Sequence, residues 1–91
     1  MKIIRNNDFV MRQIAGETFL IPVGEASVQL NGMITLNNIS AFIWKELETE
    51  KSGDELVKAV LDVYDVEEAE AREDIMKFLD SMKSMNMIQY L

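Results

Sequence analysis

Apolar and polar positions follow two rhythms along this 91-residue chain. The front is written in short extended runs. Phe9–Ile14 is β-prone, Ala15-Gly16-Glu17 is a turn, and Thr18–Val23 is a second extended run, so the two predict a hairpin. Pro22, the single proline, cannot donate to a ladder and belongs at a strand end or on an edge. Gly24-Glu25-Ala26 breaks the run. Ser27-Val28-Gln29-Leu30 alternates weakly, and Asn31-Gly32 is a turn dipeptide. Met33–Leu36 is then a third strand, with Ile34 and Leu36 on one face and Met33 and Thr35 on the other.

From Asn37 onward the spacing becomes helical. Asn37 caps a helix whose apolar positions are Ile39, Phe42, Ile43 and Leu47. Ser52-Gly53-Asp54-Glu55 is a capping box that opens a second helix carrying Leu56, Val57, Val60, Leu61 and Tyr64. Asp65 is the expected cap of a third helix, with Glu67, Glu68, Glu70, Glu73 and Asp74 in its first turns, where acids suit the helix dipole. Its core stripe is Ile75, Phe78, Leu79 and Met82. Asn86 is a left-handed terminator, and Met87–Leu91 can form a short last strand. Three short antiparallel N-terminal strands followed by three helices predict one α+β domain over residues 1–91. In a simple meander the Met33–Leu36 strand is an edge.

Composition narrows the chemistry. The chain has neither cysteine nor histidine, which removes disulfides, thiolate nucleophiles and the usual general base and metal ligand. No glycine-rich phosphate loop or nucleophile elbow is present. A non-enzymatic protein without cofactor or metal is expected. The net charge is −7, and it is uneven: residues 1–44 are balanced, whereas residues 45–91 hold thirteen acids and six bases. Nucleic acid and anionic membranes are disfavoured as partners. No apolar run is long enough to span a bilayer, and the first residues lack a secretion signal, so cytoplasmic residence is expected.

The segments AGETFLIPVG, MITLNNISAFIWKEL, SGDELVKAVLDVYDV and DIMKFLDSMKSMNMI together resemble the PqqD family. These are small peptide chaperones for ribosomally made, post-translationally modified peptides. The resemblance spans residues 8 to 88 and is most specific at Leu36-Asn37 followed by Ala41-Phe42-Ile43-Trp44. The family often has glycine near the end of its third helix, where this chain has Asn86; asparagine tolerates the same left-handed geometry. The resemblance implies a winged-helix-like recognition element that binds the leader of a precursor peptide. The leader adds as a strand beside the third strand, packs against the third helix, and is presented to a modifying enzyme, typically a radical SAM protein. Pyrroloquinoline quinone synthesis and other peptide pathways stay open.

The candidate peptide-binding residues are accordingly Met33, Ile34, Thr35 and Leu36 on the edge strand, with Ile75, Met76, Phe78, Leu79 and Met82 on the third helix. An edge strand offers unpaired N–H and C=O groups, and methionine suits varied apolar guests. The bland readings are a strand closed by the C-terminal Met87–Leu91 segment and a methionine-rich stripe that fills the core. Met76 and Met85, off the stripe centre, are the better contacts for a guest, and Trp44 reads as core. The acids from Glu67 to Asp74 are spread around a helix and form no converging ion site. One rival function is a winged-helix DNA-binding regulator, but residues 67–84 carry six acids against three bases, the wrong sign for phosphates. Another is a small structural dimerisation domain, strand-swapped through the same edge; a homodimer is compatible with peptide binding.

Overall fold

A computed structural model gives the structure of residues 1–29 and 32–91. The elements run β1 (Lys2–Arg5), β2 (Phe9–Ile14), β3 (Glu17–Pro22), α1 (Ala26–Gln29), β4 (Ile34–Leu36), α2 (Asn38–Glu46), β5 (Lys51–Ser52), α3 (Gly53–Val63), α4 (Glu68–Ser84) and β6 (Ile88–Tyr90). This is an α+β fold with two three-stranded antiparallel sheets, ordered β2-β3-β4 and β5-β1-β6.

The predicted hairpin is β2–β3. Ala15 and Gly16, at φ +53° and +82°, form the two-residue turn whose twist matches that of the strands. The meander continues into β4, as the sequence predicts. The stretch expected to alternate from Ser27 instead makes a helical turn over Ala26–Gln29; Leu30 and Asn31 lie outside the described residues.

Both polar caps form. Asn37 accepts a hydrogen bond from the Ser40 N–H at 2.8 Å. Ser52 Oγ accepts from the Glu55 N–H at 3.1 Å, and Glu55 Oε1 accepts from the Ser52 N–H at 2.9 Å. The third cap differs from expectation. Asp65 does not open α4, which starts at Glu68 after an N-cap Glu67 that makes no side-chain cap bond. Tyr64 and Val66, on either side of Asp65, both pack on the core, and the chain at Tyr64 is extended. At its other end α4 closes with the predicted left-handed residue, Asn86 at φ +61°. The Asn86 N–H reaches the Lys83 carbonyl at 3.1 Å and the Met87 N–H reaches Met82 at 3.0 Å, the paired bonds of a Schellman end.

Three groups of side chains meet in one core: Phe9, Leu20 and Leu36 from the hairpin sheet, Ile43, Trp44, Leu47, Leu56, Val57 and Val60 from α2 and α3, and Ile75, Leu79, Met82, Met87 and Ile88 from α4 and its continuation. Phe9 and Trp44 meet as a T-shaped pair at 6.5 Å between centroids. Strand β1, which the sequence pattern did not reveal, places Arg5 5.5 Å over the Trp44 ring and donates from the Arg5 N–H to the Leu47 carbonyl at 3.1 Å.

Lys2 on β1 also pairs with the Glu55 carboxylate. That contact first, and the Ser52 bonds after it, lower the Glu55 pKa from 4.5 to about 2. A carboxyl whose folded pKa is depressed stabilises the fold above its unfolded value, and the contribution drains away as pH falls through the folded one. Thermal melts between 4.5 and about 2 should therefore show a steeper loss in the parent than in Glu55→Gln. The difference will be small, because the pair is exposed to solvent; identical slopes would mean that the contact carries no stability.

Candidate functional site

The main chain of β4 can be oriented from the hairpin turn. In antiparallel strands, successive residues send their N–H and C=O groups to opposite sides. A two-residue turn makes Ile14 and Glu17 a hydrogen-bonded pair, so Glu17, Phe19 and Ile21 face β2, while Thr18 and Leu20 face β4. Their partners there are Leu36 and Ile34. Thr35 therefore turns both main-chain groups away from the sheet, and Met33, just ahead of the strand, continues the alternation.

No strand pairs with that edge among the described residues. The C-terminal segment, which could have closed it, pairs with β1 in the other sheet through Ile3↔Tyr90, Ile4↔Gln89 and Arg5↔Ile88. The opposite edge of the hairpin sheet is treated differently. On β2 the Arg12 guanidinium donates to the outward Met11 carbonyl at 3.0 Å, a cationic guard on an exposed edge.

Where β4 ends, a groove of about 320 Å³ begins between α2 and α4, lined by Asn37, Ile39, Ser40, Ile43, Asp74, Lys77 and Phe78. Its lining is apolar at Ile39, Ile43 and Phe78 and polar at Asn37, Ser40, Asp74 and Lys77, and Lys77 pairs with Glu73 at 3.1 Å. This groove and the free edge adjoin through Asn37.

The sequence candidates divide here. Met33 and Thr35 are exposed, Ile34 is half-buried, and Leu36 is buried in the core. On α4, Phe78 reaches the groove. Ile75, Leu79 and Met82 do not line it, and at 1%, 1% and 2% exposure their side chains pack in the core. Packed there, they hold α4 in position. Met76 is 47% exposed but does not line the groove. Asn37, Ser40, Asp74 and Lys77 also line the groove, outside the sequence candidates. The signal for the last two was their helical spacing with Phe78, which an apolar-stripe reading passes over.

Among the described residues no cluster of histidine, cysteine or carboxylate side chains is arranged to hold a metal ion, and no helix is long and apolar enough to cross a membrane. The arrangement offers main-chain hydrogen bonding beside an apolar slot, which is recognition chemistry.

A family model described as coenzyme PQQ synthesis protein D (PqqD) matches residues 15–88. The chain belongs to the PqqD family. The PqqD-like fold is also that of two solved structures. TbiB1 in complex with the TbiA(beta) leader peptide superposes with a TM-score of 0.75 at 22% identity, over 97% of this chain and 96% of that one. Lasso peptide synthetase B1 complexed with the leader peptide gives 0.74 at 20% identity, over 97% and 98%. The likeness of fold thus takes in β1 and β2, which precede the PqqD match. A comparison with curated proteins finds no significant match.

Proposed function

We propose that this PqqD-family domain is a non-catalytic adaptor. It binds the leader of a ribosomally made precursor peptide by strand addition to β4 and presents it to a peptide-modifying enzyme, a radical SAM protein being the favoured class. The observation that carries this reading is the unpaired outer edge of β4 at Thr35, continuous with the groove at Phe78. The two structural relatives solved in complex with leader peptides support it, as does the family membership. The guest runs antiparallel to β4 as an extended segment of about ten residues, the upper end of ordinary strand lengths. Its main chain bonds Thr35 and Met33, and alternate side chains enter the slot beside Ile39, Ile43 and Phe78.

A DNA-binding role is opposed by charge, since α4 exposes Glu68, Glu70, Glu73 and Asp74. Titrating the labelled protein with a leader peptide encoded beside it should shift the amides of residues 33–36 and of Lys77 and Phe78. Shifts confined to the acidic start of α4, with residues 33–36 silent, would refute the mode.

A further inference from the structure

A second groove, of about 520 Å³, lies on the β2 side of the hairpin sheet, against α2 and the end of α3. Its floor is apolar: Met11, Ala41 and Phe42 are half-buried, and the Phe42 ring meets Tyr64 edge-on at 5.7 Å. Two exposed cations, Arg12 and Lys45, stand at its rim, and no carboxylate lines it.

That is unusual in a chain of net charge −7. Elsewhere Lys2 pairs with Glu55, Arg72 with Asp54 and Lys77 with Glu73, Arg5 and Lys83 lie over the Trp44 and Tyr90 rings, and Lys51, which donates to Thr49 Oγ1, and Lys58 stand away from this groove. Among the described residues Arg12 and Lys45 have no acid within salt-bridge distance. They flank an apolar floor with their charge uncompensated.

We propose that this groove docks a short acidic segment of a second protein, with an apolar side chain on Met11 and Phe42 and carboxylates at Arg12 and Lys45. A nucleic acid would bring its dense charge against the acidic remainder of the surface. A second copy could offer the acids of its own α4, but both copies carry −7, and that like net charge opposes their approach. A segment with a few carboxylates on another chain meets neither obstacle. The groove is separate from the β4 edge, so the two sites stand or fall independently.

The test uses the whole chain and a short fluorescent peptide alternating glutamate with leucine, beside a control with lysine for glutamate. The acidic peptide should bind, with amide shifts at Met11, Phe42, Lys45 and Tyr64, and binding should weaken as salt rises. Arg12→Ala and Lys45→Ala should each weaken it roughly twofold to fivefold, the range of an exposed ion pair. The double reversal Arg12→Glu with Lys45→Glu should abolish it, and Thr35→Pro should leave it unchanged. Equal binding of the lysine control would overturn the proposal, as would shifts centred on β4 or survival of binding in the double reversal. Self-association through the groove, seen by sedimentation, would assign it to a second copy instead and overturn it as well.

Discussion

Thr35→Pro is expected to abolish leader binding while leaving the domain folded. The Thr35 N–H is the donor that the register directs away from β3, so removing it takes no bond from the protein's own ladder. Proline is tolerated on an edge strand whose N–H faces outward, and the β conformation it imposes on the preceding residue is the one Ile34 already has in β4. The guest loses more. One main-chain hydrogen bond is worth about 1 kcal/mol net, and leaving the guest carbonyl without a partner costs about 1–3 kcal/mol. Together with the steric bulk of the ring, this is roughly a hundredfold or more in affinity. Thr35→Val, which keeps the N–H, should bind nearly as the parent does. Calorimetric titration of both variants, with circular dichroism to confirm folding, decides the matter; unaltered affinity in the proline variant would remove Thr35 from the interface.

Trp44→Ala should have the largest effect on stability. The side chain is 1% exposed, forms a T-shaped pair with Phe9, and carries Arg5 over its ring. Removing a large buried aromatic costs about 3–5 kcal/mol, against a total of about 5–15 kcal/mol for a small domain. The variant should be largely unfolded or melt far below the parent. Val63→Ala, at an exposed position on α3, should stay within about 0.5 kcal/mol. Urea denaturation followed by circular dichroism, since the only tryptophan is gone, measures both. A small shift for Trp44→Ala would mean that α2 and the hairpin sheet are held together mainly by other contacts.

What could be read from the sequence was local. The Ala15-Gly16 turn, the Asn37 and Ser52 caps and the Asn86 terminator each depend on a few neighbouring residues, and each formed. What could not be read depended on distant partners. Strand β1 is four residues, Lys-Ile-Ile-Arg, too short to show a period, and it becomes a strand only because β5 and β6 flank it. The choice of β6 for β1 rather than for β4 is likewise non-local, yet it leaves the β4 edge open. Asp65 looked like a cap, but burial of Tyr64 and Val66 around it outweighed local propensity. On α4 the stripe was correct as a core prediction for Ile75, Leu79 and Met82, and the groove beside it is lined partly by charged residues that an apolar stripe passes over.

The Leu91 N–H donates to the Lys2 carbonyl at 2.8 Å, so the two ends of the chain leave the molecule side by side, from a sheet that does not contain β4. A larger polypeptide fused to either terminus would be tethered through the β1–β6 pair. Its linker would have no need to cross the strand that is left uncovered.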